Sequence, residues 1–214
     1  MPMSPDGPQF IHKVAENLAQ ENGLRAAADY VLASSNMEVQ LIQDQDDGGN
    51  LSEKESISEI LQKGRVIVIA NSGHPLSWAL VASVLPDREQ VHSVLLESSM
   101  IKLNSPYLHR IPEPPTDILG NLRRRTRRTM DESEAALKDG DLLITFPVDG
   151  DGKFRAGIEP IIRKLMSDGY ENDTYIVFAD VATLQPKHKH SVTLSQPKTI
   201  HEVVASIPQG ETLT

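Results

Sequence analysis

The chain contains no cysteine in its 214 residues, which excludes disulfides, thiolate catalysis and cysteine-based zinc or iron–sulfur sites. Aromatic residues are scarce at 4%, and the apolar share of 39% is on the low side for a globular chain. Long apolar runs are missing too, since no stretch approaches the roughly 20 residues needed to span a bilayer. Basic residues are outnumbered, and the formal charge of −9 argues against general nucleic-acid binding, which needs a broad positive surface. The first residues, Met1 to Asp6, carry neither a basic region nor an apolar core, so they do not read as a secretory signal. The expectation is a cytoplasmic protein, with a peripheral place at the inner membrane face left open.

What is present organises as alternating helices and strands. Residues 8–35 carry apolar residues at spacings of three and four, broken at Asn22-Gly23, which predicts two helices. Met37 to Ile42 alternates and fits a short strand or a helix end, and Gln43 to Asn50 is an acidic, Gly-containing linker. Ser52 with Glu55 resembles a capping box for a helix that ends near Gly64. Buried strands are predicted at 65–70, 91–96, 141–146, 174–179 and 190–194, and helices at 76–85, 121–138 and 158–168. The segment 105–115, with prolines at 106, 112, 114 and 115, reads as a loop, and the residues from Pro208 on read as a frayed tail. The pattern predicts an α/β fold with a largely parallel, helix-flanked sheet from about residue 52 onward. Residues 1–50 are then an N-terminal helical extension with its linker, 51–207 the α/β domain and 208–214 a tail.

Two loops carry most of the chemistry-bearing residues, and each follows a buried strand. The first is Asn71-Ser72-Gly73-His74-Pro75-Leu76-Ser77, where the neutral imidazole of His74 is suited to accept a proton near pH 7. A turn histidine bonded to backbone is the plain alternative. The second loop is Pro147 to Gly157, in which Gly150, Gly152 and Gly157 permit close approach of backbone to a ligand. Lys153 and Arg155 can pair with an anion there, and Asp149 and Asp151 can bind a hydroxyl or orient a base. A charged loop without a ligand is the plain alternative here. Its Asp-x-Asp-Gly string lacks the glutamate spacing of a calcium loop. Open α/β sheets place ligand sites at the carboxyl edge from which such loops leave.

The third cluster is Arg123, Arg124, Arg125, Arg127 and Arg128, of which Arg124, Arg127 and Arg128 share one helical face. It is suited to a phosphate, an anionic lipid surface or an acidic partner, or else forms a solvated face paired with Asp131, Glu132 and Glu134. The other histidines (His12, His92, His109, His188, His190, His201) lack the spacing of a shared metal site, and no metal or resident cofactor is expected.

Taken in order, these stretches resemble the PlsC-like glycerolipid acyltransferases, the 1-acylglycerol-3-phosphate acyltransferase family. That family carries Asn-His-x-Ser-x-x-Asp after a buried strand and, later, Phe-Pro-Glu-Gly followed by a basic residue and Gly. The corresponding stretches here are Asn71 to Trp78, Phe146-Pro147-Val148-Asp149-Gly150 and Phe154-Arg155-Ala156-Gly157. The resemblance spans roughly residues 60–200. Two extra residues separate Asn71 from His74, Ala79 or Leu80 occupies the place of the aspartate, and Val148 takes the glutamate's place with Asp149 one residue later.

The resemblance implies an acyltransferase using acyl-CoA or an acyl-carrier protein as donor and a glycerophosphate-like or other polar alcohol as acceptor. His74 is then the general base. Ser77, Asp149, Gly150 and Arg155 bind substrate, and Arg124 and Arg128 hold its phosphate. Asp87 or Glu97 is left to supply the missing carboxylate. Arg123, Arg124, Arg127 and Arg128 would face an anionic membrane surface. A catalytically silent protein of the same fold, binding lipid, an acyl carrier or a protein partner, is the alternative. A small-molecule hydrolase using His74 and Ser77 is weaker, because Ser77 lacks a nucleophile-elbow context.

Overall fold

Alanines four residues apart let the first two helices meet closely. In the computed structural model, which describes residues 8–43, 57–71, 76–88, 90–96, 105–111, 119–146 and 158–206, Ala15 and Ala19 of α1 (Pro8–Glu21) are fully buried. They belong to one apolar cluster with Leu24, Ala27, Ala28, Val31 and Leu32 of α2 (Gly23–Ser34). The break between the helices falls at Asn22, as the Asn-Gly dipeptide predicts. Next come β1 (Glu38–Gln43), α3 (Ile57–Lys63), β2 (Arg65–Ala70), α4 (Ser77–Val84) and β3 (Val91–Leu96). The second half holds β4 (Leu108–Ile111), α5 (Leu119–Lys138), β5 (Leu142–Thr145), α6 (Glu159–Ser167), β6 (Thr174–Thr183), β7 (Lys189–Leu194), β8 (Lys198–Thr199) and α7 (Ile200–Ala205). The expected cap at Ser52, the acidic linker after Gln43 and the tail from Pro208 lie outside the described residues.

Three helices end in the same way and feed strands directly. Asn36, Gly140 and Gly169 adopt φ of 52°, 95° and 82°, the left-handed conformation that stops a helix. The following amides then reach back to the last turn, Met37 N–H to Leu32 O at 2.9 Å, Asp141 N–H to Ala136 O at 3.0 Å and Tyr170 N–H to Leu165 O at 2.9 Å. The orphan carbonyls are thereby satisfied and the chain is turned into β1, β5 and β6.

The protein is an α/β fold around one mixed, mostly parallel sheet flanked by helices. The strand order is β1-β7-β6-β2-β5-β3-β4, with β8 paired to β6. Strands β6, β2, β5, β3 and β4 run parallel to one another, while β7 and β8 run antiparallel to β6 and β1 runs parallel to β7. The sheet therefore begins earlier than residue 52, at β1. Reading 105–115 as a loop is corrected in part, because Leu108–Ile111 pairs with Ser93–Leu96. Four residues between prolines are too few to show an alternation. β6 also runs past the predicted end at 179, because its last residues pair with β7 beyond the end of β2.

Side-chain alternation sorts the core into two layers. Val66, Val68, Ala70, Leu142, Ile144, Val177 and Ala179 face α1, α2 and α4. Ile67, Leu143 and Ile176 point the other way, onto α5, α6 and α7 through Leu137, Ile161, Ile162, Leu165 and Ile200. Strands buried on both faces explain the unbroken apolar run at 65–70.

Arginines close the amino edge of the sheet. Arg88 donates to the carbonyls of Leu61 (3.3 Å), Gly64 (2.6 Å) and Gly140, joining the ends of α3 and α5. Arg65 donates to Leu137 O and, at 3.1 Å, to Lys138 O, and its guanidinium lies 4.4 Å from the centroid of the Tyr170 ring. Cations placed on the last carbonyls of a helix also complement its dipole. The packing predicts that Leu143→Ala, at a site with no exposure, lowers the unfolding free energy by about 2–5 kcal/mol. Urea denaturation should show Leu41→Ala, on the edge strand at 39% exposure, costing less than half as much. Equal costs would contradict the two-layer core.

Candidate functional site at the carboxyl edge

Strands β2 and β5 are hydrogen-bonded neighbours, with Val66 to Ile69 opposite Leu142 to Thr145. Both end at the same edge, yet their outgoing connections lead to opposite faces, β2 to α4 in one core layer and β5 to α6 in the other. Neighbouring strands whose connections diverge in this way leave a crevice between them, which is where open α/β sheets bind ligands. The two loops singled out in the sequence are the segments that follow these strands. His74, Asp149, Gly150, Lys153 and Arg155 themselves lie outside the described residues.

The entry to the first loop is held by Asn71. Its amide N–H donates to Ala179 O at 3.1 Å, its Oδ1 accepts the Val181 N–H at 3.1 Å, and its Nδ2 donates to Asp180 Oδ1 at 2.5 Å. The side chain thus continues the strand pairing for β6 where β2 has stopped, which satisfies a backbone donor that the ladder would leave open. It also brings the Asp180 carboxylate to the root of the His74 loop. Nothing in the local sequence indicated this contact, because the partners are 109 and 110 residues apart.

The far side of that loop is packed. Ser77, the first residue of α4, is buried at 4% exposure, and Trp78 at 1%. Ala79 and Leu80 have no exposure at all. A carboxylate at either position would need a charged partner or a protonated state to be tolerated. Asp87 follows the end of α4 and acts electrostatically on Asp29 of α2, whose pKa is raised mainly by burial, with Asp87 adding to the rise against Arg25. Its expected partner His74, like Glu97, lies outside the described residues.

Helix α5 returns the chain from the carboxyl edge to the amino edge, so its first half, bearing Arg123, Arg124, Arg127 and Arg128, stands toward the candidate site. The side chains of Arg123 and Arg124 lie outside the described residues. Arg127 and Arg128 are exposed, and Arg128 Nε donates to Glu132 Oε1 at 2.8 Å. Burial pushes the Glu132 carboxyl up, but Arg128 and then His109 outweigh it and hold the group below its usual range. Farther along, Glu134 pairs with Lys138 at 2.6 Å and Lys164 at 3.7 Å. Part of the basic block is thus a solvated, paired helix face.

No group of three or more metal-ligating side chains occurs among the described residues. No helix among them is long and apolar enough to cross a membrane. No family model matches the chain, and no curated protein matches it.

The Asn71 contacts generate a test. Asn71→Ala should cost about 1 kcal/mol by urea denaturation, the net worth of exposed side-chain hydrogen bonds. Asn71→Asp sets a carboxylate against Asp180, and should cost at least as much at pH 7 and recover as pH falls through the carboxylate range. Wild-type stability in both variants would show that this edge is held otherwise.

Proposed function

We propose that the protein is an O-acyltransferase that moves an acyl group from acyl-CoA or an acyl-carrier protein onto a hydroxyl of a glycerophosphate-like or other polar acceptor. The observation that supports this reading is the parallel pairing of β2 with β5, because it brings the roots of the histidine loop and the acceptor loop to one crevice. His74 takes the proton of the acceptor hydroxyl as the oxygen attacks the thioester carbon. The C–S bond then breaks, and the leaving thiolate recovers that proton. Backbone N–H groups at the crevice stabilise the tetrahedral oxyanion. Asp149, Gly150 and Arg155 hold the acceptor, Ser77 lines the histidine side, and Arg124 with Arg128 meets the phosphate. An anionic membrane surface is the companion role proposed for Arg123, Arg124, Arg127 and Arg128.

The motif's aspartate is replaced by buried Ala79 or Leu80, so another acid must orient the imidazole. Asp180, bonded to Asn71 at 2.5 Å, is the carboxylate assigned to that task. Its contribution is tautomer control, the loss of which costs hydrolytic enzymes up to about four orders of magnitude.

The same replacement favours a second reading, a silent protein of this architecture that binds an acyl carrier, a lipid or a protein partner without turning over. Transfer of a labelled acyl group from acyl-CoA to a panel of polar alcohols separates the two. Activity should fall by about 10²–10⁴ in His74→Ala, and Asp180→Asn should lower kcat and shift its pH profile with little change in KM. Activity untouched by His74→Ala would sink the enzymatic reading. Donor binding without transfer to any acceptor would establish the silent one.

A further inference from the structure

The two outermost strands of the sheet are finished differently. β4 is short, carries Arg110 and is followed in the chain by Pro112. Helix α5 also reaches across to it, with Glu132 Oε2 3.5 Å from His109 Nδ1. Short length, charge, a proline and a covering helix are devices that keep an edge strand from pairing with another chain. β1 has no such protection beyond its first residue. Its six residues, Glu-Val-Gln-Leu-Ile-Gln, contain no proline and no basic side chain. The register with β7 runs unbroken from Glu38 opposite Lys189 to Gln43 opposite Leu194, without a bulge. The single charge, Glu38, is paired with Lys189 at 3.0 Å.

The outer side of β1 presents a row of backbone groups. Glu38 N–H donates to His188 O at 3.0 Å. By alternation, Glu38, Gln40 and Ile42 turn their amides and carbonyls toward β7, while Val39, Leu41 and Gln43 turn theirs outward. No strand among the described residues pairs with that side. Leu41 and Ile42 are also large apolar side chains left open to solvent, at 39% and 41% exposure. Leu41 shares a face with Val39 and Val192, and Ile42 stands on the opposite face beside Thr193.

We propose that β1 is a self-association edge, at which a second copy of this chain adds its own β1 antiparallel about a two-fold axis through Gln40. Closed pairing of identical subunits requires a two-fold axis, and an axis normal to the sheet makes the two neighbouring strands antiparallel. Residues directly opposite one another then share a face, so the axis passes through a residue and not between two. With Gln40 on the axis, Val39 lies opposite Leu41 of the second copy, apolar against apolar. These are the outward residues, so each such pair exchanges both of its backbone hydrogen bonds. Glu38 lies opposite Ile42, and no like charges meet.

The neighbouring registers are worse. An axis through Leu41 sets Val39 against Gln43 and Glu38 against the Asp44 that follows β1 in the chain, and like charges directly across strands are destabilising. An axis through Val39 sets Ile42 against Asn36, whose left-handed φ of 52° lies in the turn before β1. The strand is thus self-complementary in one register, which is what singles out a second copy as the occupant. Antiparallel addition turns the carboxyl edges of the two copies to opposite sides, so both candidate sites stay open and pairing is independent of acyl transfer. A six-residue strand pair is at the small end of interface sizes, so the dimer forms and separates with concentration.

The lack of native cysteine makes the register testable on the full chain. On the axis, Gln40 meets its own copy as a non-hydrogen-bonded pair with Cα atoms about 4.5 Å apart, a span that a disulfide bridges. Glu38 and its copy are offset along the strands by roughly 13 Å. Under mild oxidation with diamide, Gln40→Cys should therefore cross-link at least tenfold faster than Glu38→Cys. Sedimentation velocity from about 1 µM to 1 mM should show the wild type passing from monomer to dimer. Leu41→Lys, checked for folding by circular dichroism, should raise the dissociation constant at least tenfold. A wild type that stays monomeric throughout, a dimer unaffected by Leu41→Lys, or equal cross-linking of the two cysteine variants overturns the proposal. Should Leu41→Lys fail to fold, the two cysteine variants decide.

Discussion

The parallel pairing of β2 with β5 is the constraint on which the rest of the molecule depends. It sets two strands side by side that are separated in sequence by α4, β3, β4 and α5. Their connections then have to leave on opposite faces, α4 joining one core layer and α6 the other. That divergence is the arrangement at which open α/β sheets bind ligands. Both strands are buried on both sides, so the pairing is locked by apolar packing from two layers as well as by the ladder between them.

The two edges of the sheet are treated differently. At the amino edge, Arg65 and Arg88 bind helix-terminal carbonyls, and His92 on β3 meets both His109 on β4 and Asp141 just before β5. Side chains there bind the protein to itself. At the carboxyl edge, Asn71 ends β2 by pairing with β6, and the segments that follow β2 and β5 begin there. A scaffold held together by side chains at one edge can position reacting groups at the other.

Much of the architecture was legible because strands buried on both faces are written as apolar runs. The predicted strand at 65–70 coincides with β2, and the helix break at Asn22 and the stop at Gly140 followed from local chemistry. β4 was missed because four residues between prolines carry no period. The two-residue β8 and α7 were missed although α7 opens with a full capping box of Thr199 and Glu202, since the pairing of β8 with β6 is not local. The candidate site was legible only as two loops. That they share one edge follows from strand order, which no window of sequence contains, and the Asn71–Asp180 contact spans 109 residues. His92 and His109, dismissed on spacing, come together through the β3–β4 pairing, which the loop reading had hidden.

The central claim is that the loops after β2 and β5 form one site. Titration of the isotopically labelled protein with a non-transferable thioether analogue of acyl-CoA, read by amide chemical shifts, tests it most directly. The account predicts that residues 71–77 and 146–158 respond together along one binding curve, with β1 and the helix ends at the amino edge unchanged. Shifts confined to one loop, separate curves for the two, or no response from a folded protein would contradict it.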